Sequence, residues 1–283
     1  MFLYSDTAEE HIKHVKFVID KLTEFNLKVN VKKTHIGHSA LHVLGHYISE
    51  AGVQIDRRKL FDLSNTQCPV SAEQVQSFLG LANYFGKFIP KLSELSFPLQ
   101  QVRNVFVHSQ EVEEAFEAIK ALILSAPVLH FPDFTRPFKM ATDASKRGLG
   151  MVLFQEGDDG EVRLISIHSK SLNKAQKNYS IPKLELLALV TGLVVFRHWL
   201  LGRHFVVFTD SSALTYLWTS LDSDRLLAGY MDTICEYYFT VTHLPGILNI
   251  LSDHLSRLYP ADIRNRYIAV SYTHLTLPTT PYV

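Results

Sequence analysis

The chain has 283 residues, of which 47% are hydrophobic and 20% charged, with 28 basic and 28 acidic side chains. That is enough apolar chain for one large or two smaller cores, which argues against wholesale disorder. The zero net charge supplies no overall attraction to nucleic acid, so any such partner has to be held by local basic patches. Cys68 and Cys235 form no CxxC pair and no disulfide framework, which suits a reducing compartment. No run reaches the roughly 18 apolar residues needed to span a bilayer. The start, MFLYSDTAEEH, lacks the basic region of a signal peptide.

Helix signals come first. Thr7 with Glu10 forms a capping box, and Ile12, Val15, Ile19, Leu22 and Phe25 recur at helical spacing. LKVNV and ALHVLGHYIS then read as strands around a Lys/His/Gly turn. Ser71 with Gln74 caps a second helix carrying Val75, Phe78, Leu79 and Ala82, which ends before Pro90. Glu111, Glu113 and Glu114 mark the first turn of a third helix, with Phe116, Ile119 and Leu122 on its buried side. Among fourteen histidines, His11 and His14 are three apart, as are His35 and His38. No Cys/His quartet of zinc spacing accompanies them, so they read as surface or packing residues.

From about residue 137 the rhythm changes. FKMATDA and LGMVLFQ are strands, EGDDG is a turn, and RLISIHS is a third strand. Pro182 is tolerated at the start of the helix LELLALVTGLVVFRHWL, because an early amide has no intrahelical partner. FVVFTD is a short strand, YYFTVTHL a last one, and PGILNILSDHLSRL a closing helical stretch. The mixture of hairpin strands and crossover helices indicates an α/β, or mixed α+β, sheet domain. The terminal SYTHLTLPTTPYV is Thr- and Pro-rich and without periodicity, and reads as a disordered or artefactual tail.

Two strands end on acids, Asp143 and Asp210. If they run parallel, both carboxylates emerge at one sheet edge, where open α/β sheets place ligands. Glu185 is read as lying in the first turn of the intervening helix, able to reach back to that edge, and Asp253 opens the last helical stretch. Four acids brought together repel one another unless cations intervene. Hard oxygen ligands suit Mg²⁺, and two such ions promote phosphodiester cleavage. Each acid also has a plainer reading: turn residues for Asp143 and Asp210, a dipole partner for Glu185 and an N-cap for Asp253.

The order TDAS, ELLAL, TDSSAL and HLPGILNILSDHLSR resembles the ribonuclease H domain of gypsy-type LTR-retrotransposon Pol polyproteins. FNLKVNVKKTHIG, HVLGHYISEAGV, VQSFLGLANYFGKFIP and LILSAPVLHFPDFTRPF are similar to the end of the palm, the thumb and the connection of the same reverse transcriptases. The resemblance covers roughly residues 3–259. It implies a partial palm at 1–48, a thumb-like helical region at 49–100, a connection at 101–136, a five-stranded ribonuclease H-like domain with flanking helices at 137–260, and a tail at 261–283. It implies that Asp143, Glu185, Asp210 and Asp253 are metal-binding and catalytic, with two Mg²⁺ ions, or Mn²⁺ in their place. The implied activity is hydrolysis of the RNA strand of RNA–DNA hybrids in the cytoplasm or in retrotransposon particles. Duplex DNA or RNA and other Pol segments are further implied partners, with no membrane. SDHLSR and TDSSAL depart from the family by lacking an Ala before one Asp and a His after the other.

The resemblance further implies a piece of a longer polyprotein without the Tyr-x-Asp-Asp turn that carries the polymerase metals. Lys33 matches a family lysine after the palm helix, and Leu44-Gly45-His46 a turn at the primer end. Arg57, Arg58, Lys59, Lys87 and Lys91 are candidate phosphate contacts, as are Lys146 and Arg147 after Asp143, while Asn249 matches the family's PGxxN phrase. Tyr84, Phe85 and Phe88 read as thumb core rather than base-stacking residues. The rival expectation is a hybrid-binding remnant of a degraded element whose site does not cleave.

Overall fold

The computed structural model describes residues 3–211, 214 and 225–243. The first helix, α1 (Ala8–Glu24), starts where the sequence places it: the Thr7 hydroxyl accepts the Glu10 N–H at 3.2 Å. It ends in a Schellman closure, with Asn26 at φ 57° and N–H bonds from Asn26 to the Thr23 carbonyl and from Leu27 to the Leu22 carbonyl. The strand expected for LKVNV does not form. Val31–Lys33 makes a single 3₁₀ turn, and no described strand pairs with residues 27–31. Alternation alone cannot hold an extended segment that has no neighbour to satisfy its backbone.

A small antiparallel sheet follows, of β1 (Leu41–Val43), β2 (His46–Ser49) and β3 (Gly52–Ile55). Leu44 and Gly45, at φ 48° and 71°, form the two-residue turn between β1 and β2, where glycine bears the positive φ at little cost. Asp56 then caps α2 (Arg57–Ser64), accepting the Arg58 N–H at 2.9 Å.

The helical layer continues with α3 (Ala72–Tyr84), capped by Ser71, then α4 (Leu92–Leu95), α5 (Phe97–Gln101) and α6 (Gln110–Leu124). The residues expected to be buried on α3 and α6 are buried: Val75, Phe78, Leu79 and Ala82 on one, and Phe116, Ile119 and Leu122 on the other. Phe78 and Phe116 meet with ring centroids 4.6 Å apart. Phe85 and Phe88 are core, as read from the sequence, whereas Tyr84 is half exposed and donates its hydroxyl to the Leu44 carbonyl.

The main sheet has the order β6-β5-β4-β7-β8. Strands β4 (Phe138–Ala144), β5 (Gly148–Glu156) and β6 (Val162–Ser171) form an antiparallel meander; β7 (His204–Thr209) and β8 (Tyr238–His243) extend it in parallel from β4. Helices α7 (Ile181–Val195) and α8 (Arg197–Leu200) cross from β6 to β7, and α9 (Arg225–Cys235) precedes β8. The period-two pattern of β4 sends its side chains to two different cores. Phe138 and Met140 join Phe205, Val207 and the apolar α7 on one face. Ala141, with Val152, Phe154, Leu164 and Ile167, packs against the α2–α6 layer on the other. The central strands are thus covered on both faces, which is why β5 and β7 read as near-continuous apolar runs. No helix of the described residues is long and apolar enough to cross a membrane.

Candidate metal centre

The parallel pairing of β4 and β7 ends at Thr142 opposite Thr209, both fully buried. The next residue on each strand is an acid, so Asp143 and Asp210 leave the sheet at the same edge.

Glu185 arrives from α7. It is the fifth residue of that helix rather than part of its first turn, which corrects the sequence reading. Helical side chains lean toward the N-terminus, so its carboxylate still reaches the sheet edge. There Oε1 accepts the Ala144 N–H at 3.1 Å, while Oε2 is buried without a hydrogen-bond partner. One carboxylate oxygen each from Asp143, Glu185 and Asp210 lies within 4.8 Å of the others.

The cluster carries electrostatic strain. Glu185 is only 3% exposed, and burial, followed by the charges of Asp143 and Asp210, pushes its carboxyl up to about 8; the Ala144 N–H and Lys91 oppose this. Asp210 sits at the outer side, and partial desolvation and then Asp143 raise its carboxyl too. The His243 Nε2–H donates to the Asp210 carbonyl oxygen at 3.0 Å, which places a ring beside the strand end without touching the carboxylate cluster through that bond. Three carboxylates, one of them with a buried, unpartnered oxygen, fit a divalent cation, which would supply the positive charge that the acids need to ionise together.

A residue that the sequence did not place here completes the cluster. The Lys91 ammonium lies 3.1 Å from Asp143 Oδ2. Burial disfavours its charge, but Asp143, Glu94 and Asp210 outweigh that and hold its pKa above the ordinary lysine value. The signal was topological: Asp143 alternates with Met140 and Thr142, so it shares the sheet face of Ala141, the one covered by α4. Glu94, also from α4, accepts the Ser145 hydroxyl.

The remaining candidates are dispersed. Lys146 and Arg147 form the exposed β4–β5 turn beside the acids, with the Lys146 ammonium bonded to the Tyr179 carbonyl at 2.5 Å. Lys33, Gly45, Arg57 and Arg58 belong to the amino-terminal elements. The Arg58 guanidinium is engaged by Asp56 at 2.8 Å. Asp253, Asn249 and the closing helical stretch lie outside the described residues. Among the described residues, no histidine joins a cluster of potential metal ligands.

The Pol polyprotein of transposon 297 from Drosophila melanogaster is 33% identical over 262 residues, covering 91% of this chain and 24% of that protein. The chain is homologous to a segment of LTR-retrotransposon Pol polyproteins. The transposon Tf2-3 polyprotein of Schizosaccharomyces pombe is 32% identical over 265 residues, again covering 91% of this chain but 20% of the relative. The chain thus spans about a quarter or less of the length of these relatives. Residues 108–207 match the family model for the RNase H-like domain found in reverse transcriptase, a stretch that includes Asp143 and Glu185 and stops short of Asp210. In fold, the chain matches the foamy viral protease-reverse transcriptase in complex with RNA/DNA hybrid, with a TM-score of 0.69 and 20% identity over 86% of this chain and 35% of that one. That likeness of fold, over 86% of this chain, extends beyond the residues that the family model matches.

Proposed function

We propose that this retrotransposon Pol segment hydrolyses the RNA strand of RNA–DNA hybrids, with Asp143, Glu185, Asp210 and Asp253 holding two divalent ions, Mg²⁺ or Mn²⁺. The observation that carries this reading is the convergence of three carboxylates from β4, α7 and the end of β7, with a buried Glu185 oxygen left unpartnered. Two ions in such a site lower the pKa of an attacking water and stabilise the leaving oxygen. The protein's own part is positional. Parallel pairing fixes Asp143 beside Asp210, and the Ala144 N–H orients Glu185. Lys146 and Arg147, on the adjoining turn, are proposed to contact the backbone of a hybrid whose A-like shape, rather than its base sequence, is recognised. The hybrid seen with the foamy viral relative supports this choice of partner. Lys33, Gly45, Arg57, Arg58 and Asn249 are proposed as further contacts. The partition into palm, thumb, connection and ribonuclease H segments at 1–48, 49–100, 101–136 and 137–260 is proposed with them, as is an intracellular setting.

One observation favours a second reading. The ammonium of Lys91 already gives Asp143 a positive partner, an arrangement compatible with a site that binds hybrid and leaves it intact. Labelled hybrid incubated with the chain in Mg²⁺ or in EDTA, beside Asp143→Asn, separates the two. Cleavage that needs the ion and disappears in the variant supports the nuclease. A folded chain that binds hybrid and leaves it uncut replaces that reading with the binding one.

A further inference from the structure

Lys91 stands on a segment that the fold holds tightly in place. Its backbone is left-handed, at φ 51°, a conformation rare for a side chain of this size, and it opens α4 directly over the β4–β5 strand ends. Ser93 ties α4 to β6: its N–H donates to Ser169 Oγ at 2.9 Å, and the two hydroxyls are 2.6 Å apart. Leu92 is buried in the helical-layer core, and Glu94 accepts the Ser145 hydroxyl on the far side of Lys91. Gly148 permits the approach, since a Cβ there would lie 2.2 Å from Ser93 Oγ. The ammonium is therefore delivered to Asp143 by a docked turn, and the Lys91 side chain is 39% exposed against 20% for that of its partner.

We propose that Lys91 is a tethered counter-ion of the acidic cluster, which a divalent ion must displace from Asp143 in order to bind. The proposal rests on the metal-site reading above. At 3.1 Å the ammonium holds one of the two oxygens of an Asp143 carboxylate that also belongs to the acidic cluster, so ammonium and ion compete for the same charged group. Because the lysine belongs to the helical layer and the acids to the sheet domain, the docking of α4 sets how readily the site accepts an ion. A helical segment outside the sheet domain thereby tunes the metal affinity of the site.

The test is Mn²⁺ binding to the full chain, followed by electron paramagnetic resonance of the free ion. It compares the parent with Lys91→Asn, Lys91→Gln, Lys91→Arg and Asp143→Asn, each checked for cooperative unfolding. Asn tolerates the left-handed backbone, so that variant removes the charge with little strain. The neutral variants should bind Mn²⁺ more tightly by on the order of five- to tenfold, and Lys91→Arg should stay within about twofold of the parent. Neutral variants that bind no more tightly overturn the proposal. A second readout needs no substitution: acetic anhydride labelling of the Lys91 amine, followed by mass spectrometry, should increase when Mn²⁺ is added, and unchanged or reduced labelling counts against displacement. Asp143→Asn separates this idea from its foundation. If the parent binds no Mn²⁺, or Asp143→Asn binds as well as the parent, the metal-site reading fails. If Asp143→Asn loses binding while the lysine variants gain nothing, only the counter-ion fails.

Discussion

Asp143 and Asp210 each follow one member of a matched threonine pair: Thr142 faces Thr209 in the parallel β4–β7 register, and the next residue on either strand is a carboxylate. Neither strand makes a site alone. Their shared register carries two like charges to one edge, where Glu185 meets them.

Because Asp143 and Asp210 both push the Glu185 carboxyl upward, Asp210→Asn should lower the Glu185 pKa from about 8 toward the ordinary glutamate range. Carbon-detected NMR titration of the Glu185 carboxyl in metal-free protein would show the shift. The same variant should lower Mg²⁺-dependent hybrid cleavage by on the order of a hundredfold, as expected for loss of an ion-holding group.

Glu185 also makes stability depend on pH. Its folded-state pKa of about 8 lies above its ordinary value of 4.5, so between those values the folded chain keeps a proton that the unfolded chain has released. Its contribution is fully present below the ordinary value and is lost as pH rises through about 8. In EDTA, the parent should lose stability across that window by on the order of 2–4 kcal/mol more than Glu185→Gln does. Denaturant midpoints at the two ends of the window measure this. Equal losses in parent and variant would show that Glu185 ionises normally.

Gly148→Val should disturb the docking of α4, since its Cβ would overlap Ser93 Oγ at 2.2 Å. Overpacking of this kind costs about 1–3 kcal/mol. Thermal unfolding should register that loss, and amide exchange should show reduced protection around Ser93, whose N–H bonds to Ser169. Unaltered protection there would mean that the contact is soft.

Asp56 is buried, caps α2 and pairs with Arg58 and His42. The bond from Arg58 holds its carboxyl well below the usual aspartate range, against the opposing effect of burial. Its stabilising contribution is therefore present above the ordinary aspartate pKa and is lost as pH falls through the lowered one. Asp56→Ala should cost about 1–2 kcal/mol near neutrality, most of it the cap, because Arg58 is largely solvent-exposed. Urea unfolding at neutral and acidic pH should show the gap narrowing on acidification.

Much of the architecture was legible because it depends on local chemistry. Thr7 and Ser71 each accept an amide from the first turn of their helices, and Pro182 sits at the start of α7, as the side chains require. Strands β5 and β7 are apolar runs, and β4 alternates. The sequence failed at residues 27–31, where an alternating pattern found no pairing partner among the described strands. It also placed Glu185 in the first turn of α7, whereas it is the fifth residue of that helix.

The sequence by itself determined which acids were available, that two of them end strands, and that a helix separates those strands. Only the tertiary structure decided that β4 and β7 pair in parallel with Thr142 opposite Thr209, which sets the carboxylates side by side rather than at opposite ends. It also decided that Lys91, 52 positions before Asp143 in the chain, stands 3.1 Å from it. The physical reason is that helix caps and strand alternation are set by neighbours in sequence. Register and docking depend instead on burying two faces of one sheet at once, and Lys91 reaches Asp143 because α4 covers the face that Asp143 shares with Ala141.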